Sequence, residues 1–219
     1  MRVNKKPIMK RGMKRIIILI DNGHGFDTKG KCSPDGVYQE WAWSREMADL
    51  IVRELTRLGY DARLLVPERD DIPINKGADS RVKRVNEICA LYGAENVMLV
   101  SIHSNANSCD GQWHDGEWSG FVAEVSLNAS QKSKRLADFI WARAIEAGLK
   151  GNRAVNDKPG KRFIQQNLGI CRDTKCPAVL TESAFHDTHE GVKLLTGSKQ
   201  RIMLAHVAGI IDYINSLKE

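Results

Sequence analysis

The chain lacks any apolar stretch near the roughly 20 residues that a membrane helix needs, so no membrane insertion is expected. It lacks a signal-peptide core too. After the basic amino terminus, the aliphatic run Ile16–Ile20 is shorter than the roughly 7–15 residues of such a core, and cleaving it would remove the first strand. The expectation is a chain without a secretion signal. The 5 cysteines are odd in number and scattered, and Cys171 and Cys176 lack the tight spacing of a zinc knuckle, so reduced thiols are expected. No cluster of lysine and arginine is interleaved with aromatic residues, which argues against a nucleic-acid groove. Internal repeats, low-complexity linkers and the local HExxH spacing of many metal hydrolases are absent as well.

What is present is an ordinary globular composition, 42% hydrophobic and 27% charged over 219 residues, with a net charge of +6. That bias favours polyanionic surfaces such as cell walls, or reflects a well-solvated exterior. Residues 1–15 read as a basic extension and 16–219 as one domain.

Within that domain, aliphatic runs alternate with helical periodicity. Ile16–Ile20 leads into Asp21-Asn22-Gly23-His24-Gly25 and reads as a strand buried on both faces. Met47, Ala48, Ile51, Val52, Leu55 and Leu58 form one helical face, stopped by Gly59. A strand over Tyr60 to Val66 and a helix carrying Val82, Val85, Ile88, Cys89 and Leu91 follow. Asn96 to His103 repeats the first design, an apolar strand that delivers a histidine. Further strands are expected at Phe121 to Ser126 and across Pro177–Phe185, with helices near residues 130–147 and 199–217 and a basic connection over 148–166. The alternation predicts a single α/β domain, a mostly parallel, mixed sheet of about six strands flanked by helices.

Three of these strands end in His24, His103 and Glu182. In open α/β sheets ligands gather at the carboxyl ends of strands, so the three side chains should meet at one edge. Glu40, opening the helix that leaves the His24 loop, lies near the same edge. Two imidazoles and a carboxylate suit a catalytic zinc, and a second carboxylate suits a general base. Each residue alone has a plainer reading: a loop histidine, an acidic helix start, a satisfied core histidine, a strand-end carboxylate bonded to amides.

The segments "IDNGHG", "VSIHSNA" and "PAVLTESAF", with Glu40 after the first and a terminal helix ending "GIIDYI", resemble the zinc-dependent N-acetylmuramoyl-L-alanine amidases of the type-3 family. The resemblance covers about residues 16–215. It implies that Zn2+ is held by His24, Glu40 and His103, with Glu182 activating the water. It implies cleavage of the bond between N-acetylmuramic acid and the L-alanine of peptidoglycan stem peptides. Arg81 resembles an arginine that the family carries before the His103 strand, in a supporting role. Asn22 stands where the family commonly has proline, and Ser104 where alanine is usual. The loop over residues 105–119 looks long for the family, and its Trp113 and Trp118 are expected beside the metal, facing substrate or else anchoring the loop. His114, His186 and His189 are expected to stay off the metal, the last two on the rim. The resemblance and the missing signal together suggest a phage or prophage endolysin, or almost as well a bacterial lysin from a mobile element, cytoplasmic until released onto the wall; a monomer is expected. Another zinc hydrolase on this layout, a peptidase or deacetylase, and a non-catalytic wall-binding module are the alternatives.

Overall fold

A computed structural model describes residues 15–117, 119–151 and 162–217. The basic extension before Arg15, most of the basic connection after residue 151, and Trp118 lie outside the described residues.

Among the described residues, six strands make one sheet: β1 (Ile17–Asn22), β2 (Asp61–Leu64), β3 (Val97–Asn105), β4 (Val122–Ser126), β5 (Ile164–Gln166) and β6 (Ala178–Phe185), in the spatial order β2-β1-β3-β6-β4-β5. All neighbouring pairs are parallel except β4 with β6. The mixed, mostly parallel sheet expected from the sequence is therefore present. β5 falls within the stretch read as a basic connection; it is three residues long and only half-buried at its start, too short to print an apolar pattern.

Helices α1 (Glu40–Arg57), α2 (Arg81–Tyr92), α3 (Gln131–Glu146), α4 (Gly169–Arg172), α5 (His189–Gly197) and α6 (Lys199–Ser216) cover the two faces. Because strand side chains alternate, Ile18, Ile20, Met98, Val100, Ile102 and Val179 face one way, into a core with α1, α3 and α6. Ile17, Leu19, Val97, Leu99 and Leu180 face the other way, against Val82, Val85 and Cys89 of α2 and Ile170 of α4. This burial on both faces is why β1, β3 and β6 read as continuous aliphatic runs. Removing a buried side chain of the first core, Ile140→Ala of α3 for example, should cost about 2–5 kcal/mol through lost burial and the cavity left behind. On the first face α6 comes unusually close to α3. A Cβ on Gly209 would lie 2.5 Å from the Ile140 Cα, so only glycine permits that approach.

Side-chain caps start several helices. Ser80, Ser130 and Thr188 accept hydrogen bonds from the amides of Lys83, Ser133 and Gly191. α1 differs. Gln39 makes no side-chain cap, and the chain is pinned where the helix begins by the Glu40 amide donating to the Lys31 carbonyl at 2.9 Å. The Glu40 side chain is thereby left for other work.

Candidate metal centre and active site

β1, β3 and β6 run parallel, so their carboxyl ends share one edge of the sheet. His103 and Glu182 are direct cross-strand partners in the β3–β6 register, and Asn22 pairs with Ile102. The Gly23 amide extends this ladder by donating to the Ile102 carbonyl at 2.9 Å. At the next residue the backbone turns: His24 has φ 61°, the single non-glycine residue with positive φ among the described residues. A left-handed histidine is strained and persists where its surroundings hold it. Here its carbonyl accepts from Arg45 Nη1 at 2.7 Å and from Arg81 Nη2 at 3.3 Å. The flanking glycines are steric necessities. A Cβ on Gly23 would sit 2.3 Å from His103 Cε1, and one on Gly25 would sit 1.9 Å from the Asp71 amide nitrogen.

Glu40 is 1% exposed and lies between the histidines. Its Oε1 is 3.0 Å from His103 Nδ1 and accepts the Ser104 amide at 3.1 Å, while its Oε2 is 3.4 Å from His24 Nε2. The two imidazole rings stand edge to face at 5.0 Å. One nitrogen or oxygen from each of His24, Glu40 and His103 lies within 4.8 Å of the others, a distance from which a single cation could be held by all three. Two imidazoles and one carboxylate are the donor chemistry of a divalent first-row metal.

For His24 the electrostatics agree with that use. Burial lowers the His24 pKa to about 4, against the pull of Glu40, which leaves the ring neutral with a lone pair to offer. Glu40 is itself buried, yet the His103 hydrogen bond and the nearby imidazoles bring its pKa down to about 2. For His103 burial acts downward, but the Glu40 hydrogen bond and charge outweigh it and raise the pKa. Glu182 goes the other way. Burial, reinforced by the Glu40 and Glu124 carboxylates, pushes it up to about 8. Its Oε2 is buried without a hydrogen-bond partner among the described residues, as expected of a group whose partner is a substrate, a water or a metal.

Arg81 is buried and ties the frame together. Its guanidinium donates to Asp21 Oδ1, to the Asn22 carbonyl at 2.6 Å, to the Ile72 carbonyl and Asp71 Oδ1 at 2.8 Å each, and to the His24 carbonyl. Ser101 completes the web by donating to Asp21 Oδ2 at 2.5 Å. A cavity of about 300 Å³ opens between the centre and this web. His24, His103 and Glu182 line it together with Arg81 and the aliphatic Ile72, Ile74, Leu168 and Ile170.

Other residues sit differently from expectation. His186 is buried, not on the rim: it stacks on Tyr38 at 5.8 Å, and its Nδ1 lies 3.1 Å from Ser104 Oγ, which also accepts from the Tyr38 hydroxyl at 2.8 Å. His189 is exposed, and Trp113 stacks on it with ring centroids 3.8 Å apart. Asp115 fastens that pair by accepting the His189 amide at 2.8 Å, and Asp187 accepts the Asn107 and Ser108 amides at 2.5 and 3.1 Å. Trp113 is thus laid on the start of α5. His114 lies between Asp110 and Glu117 at 3.0 and 2.9 Å and is not among the converging ligand atoms. Asp21, Asp71 and Ser101 escaped sequence reading, since nothing in their local pattern announces a partner on another element.

A mostly parallel sheet with two histidines and a glutamate gathered at its carboxyl edge defines an α/β architecture with a candidate metal site. The N-acetylmuramoyl-L-alanine amidase family model matches residues 18–212, and the chain belongs to that family of peptidoglycan amidases. It is 22% identical to the endolysin of Bacillus phage SPP1 over 209 residues, 93% of this chain and 68% of that protein. With the amidase AmiC of Neisseria meningitidis serogroup B it shares 23% identity over 243 residues, 96% of this chain and 56% of AmiC, so it spans little more than half of that relative. Among solved structures, the CwlD amidase from Clostridioides difficile, in complex with the GerS lipoprotein, superposes with a TM-score of 0.71 at 22% identity, covering 92% of this chain and all of that one. Ami1 from Mycobacterium smegmatis gives 0.73 at 16% identity, covering 93% and 99%. At these identities the structures establish the shared fold.

Proposed function

We propose that the protein hydrolyses the amide bond joining N-acetylmuramic acid to the L-alanine of the peptidoglycan stem peptide, with zinc held by His24, Glu40 and His103 and with Glu182 as general base. The observation that carries this reading is the meeting of three ligand atoms within 4.8 Å, with Glu182 opposite His103 across the strand pair. Zinc bound there supplies Lewis acidity, polarising the scissile carbonyl and lowering the pKa of water from about 15.7 toward 7. His24, kept neutral by burial, offers its lone pair without first losing a proton. Glu40 brings one negative charge, which leaves a net positive centre. Glu182 takes the proton from the attacking water and hands it to the departing amine. Arg81 keeps the His24 turn in register with β3. The aliphatic wall of Ile72, Ile74, Leu168 and Ile170 thins the water around the reacting groups, which strengthens the electrostatic interactions there.

The place of action in this reading is the cell wall, where the protein works as a monomeric lysin. Support comes from the likeness to the SPP1 endolysin and from the net charge of +6, which favours approach to a polyanionic wall. No helix among the described residues is long and apolar enough to cross a membrane. Mass spectrometry of peptidoglycan digested by the purified protein tests the reaction. Free amino-terminal alanine on released peptides and intact lactyl carboxylates on the glycan are expected. Cleavage within the peptide, or loss of acetyl groups alone, would overturn it.

A further inference from the structure

The turns that deliver two candidate ligands also deliver two aromatic rings that the chemistry above leaves unused. Phe26 stands two residues after His24, and Trp41 directly follows Glu40. The rings meet edge to face with centroids 5.3 Å apart. The Arg69 guanidinium carbon lies 3.5 Å from the Phe26 centroid and 5.8 Å from that of Trp41, and Arg45 approaches Trp41 at 5.8 Å. Phe26 is 51% exposed, Trp41 half-buried and Arg69 exposed.

A lone exposed aromatic is ordinary on a protein surface. What sets these residues apart is how firmly they are held and beside what. The Phe26 amide donates to the Arg69 carbonyl at 3.0 Å, and Gly25 packs against the Asp70–Asp71 backbone. Asp27 accepts the Asp71 amide at 2.7 Å, and Thr28 donates to Asp71 Oδ2 at 2.7 Å. Arg45 bonds the carbonyls of Glu68, His24 and Trp41. One frame therefore fixes Phe26, Arg69 and His24 together, and Asp71 of that frame lines the cavity beside the centre. Rings fixed in advance lose little freedom when a ligand arrives. No carboxylate among the described residues pairs with Arg69, so its N–H groups stay available.

The substrate of the proposed reaction has two arms, a sugar on the acyl side and a peptide on the amine side. Arg69 lies over one face of Phe26, so a pyranose would lay its C–H face on the exposed remainder of that ring, while guanidinium N–H groups at its edge meet hydroxyl and acetamido oxygens. We propose that Phe26, Trp41 and Arg69 form a sugar subsite that holds a pyranose ring of the glycan strand next to the bond being cut. This inference rests on the amidase reading, and its experiment separates the two.

Peptide-free glycan oligomers of β-1,4-linked N-acetylglucosamine and N-acetylmuramic acid are titrated into Glu182→Gln protein, followed by tryptophan fluorescence and calorimetry. The same titration on Phe26→Ala and Arg69→Ala in that background should show binding weakened roughly three- to tenfold, the scale of an aromatic contact. In the active protein both substitutions should raise KM on whole walls by a similar factor, with metal content by elemental analysis unchanged. Phe26→Trp should restore binding. Leu91→Ala, on an exposed surface of α2, serves as a control that leaves KM and binding alone. Glycan affinity and KM equal to the parent in Phe26→Ala and Arg69→Ala would overturn the subsite. If the parent releases no amino-terminal alanine yet loses glycan binding on these substitutions, the amidase reading falls and sugar recognition at this platform stands. Alanine release together with unaltered glycan binding removes the subsite alone.

Discussion

A side-chain carbon on Gly23 would stand 2.3 Å from His103 Cε1, closer than two such atoms ever approach. The glycine at the end of β1 is thus the space in which the β3 imidazole lies. No positive φ is recorded at Gly23, so alanine is tolerable to the backbone, and its effect should fall on His103. Gly23→Ala is expected to stay folded and to lose zinc affinity by about 10–100-fold, the usual cost of disturbing a ligand's surroundings. Metal titration of the folded variant checks this. Parent-like affinity would show that His103 can give way at no cost.

Glu40 is buried and Glu182 half-buried, both beside His103, and their surroundings differ. Glu40 is engaged by both histidines and the Ser104 amide, whereas one oxygen of Glu182 has no partner among the described residues. Glu182→Gln should retain zinc and lose about two to four orders of magnitude in rate, the scale of general acid–base assistance. Glu40→Gln should weaken zinc binding and regain part of its activity in excess zinc. Elemental analysis and wall-clearing rates measured together decide it; metal loss in the Glu182 variant would exchange the roles.

His206 of α6 is fully buried, and burial lowers its pKa to about 4. The Ile202 carbonyl, 2.8 Å from Nδ1, can only accept, so Nδ1 carries the hydrogen and Nε2 accepts from the Thr181 hydroxyl at 2.9 Å. The unfolded imidazole protonates near pH 6.5 and the folded one near 4. The folded state thus keeps its full advantage above about 6.5 and loses it as pH falls toward 4, by up to about 3 kcal/mol. Urea unfolding at pH 7.5 and 4.5 should show this loss, and His206→Leu should be less pH-sensitive by that amount. Equal pH slopes in parent and variant would refute it.

Trp113 stacks on His189 at 3.8 Å, so its first effect should be on stability. Trp113→Ala is expected to cost about 1 kcal/mol, and a double-mutant cycle with His189→Ala should return a coupling of about 0.5–1.5 kcal/mol. KM on walls should move less than in Phe26→Ala. A larger rise in KM with no loss of stability would put Trp113 in contact with substrate instead.

The central strands and the helices that cover them were legible because each buries a continuous face, and burial on that scale leaves a period or an unbroken aliphatic run in the residues themselves. His24, His103 and Glu182 were legible for the same reason, since each rides at or near the end of such a run. β5 left no trace because three half-exposed residues carry no period, and it exists through its pairing with β4. α4 is likewise too short to announce itself, and α5 is a short helix that follows β6 so closely that it shows no separate periodic stretch.

What the residues determined by themselves was the alternation of elements and the chemistry delivered to one sheet edge, because hydrophobic periodicity is local and a parallel sheet aligns its strand ends. Only the tertiary structure decided which side chains touch. The Arg81–Asp21 pair joins residues 60 apart in the chain, His186 turned inward because Ser104 and Tyr38 offered it polar and aromatic partners, and Phe26 met Arg69 across two separate turns. Contacts of that kind depend on how helices and loops pack over the sheet, and no local pattern encodes a partner that distant.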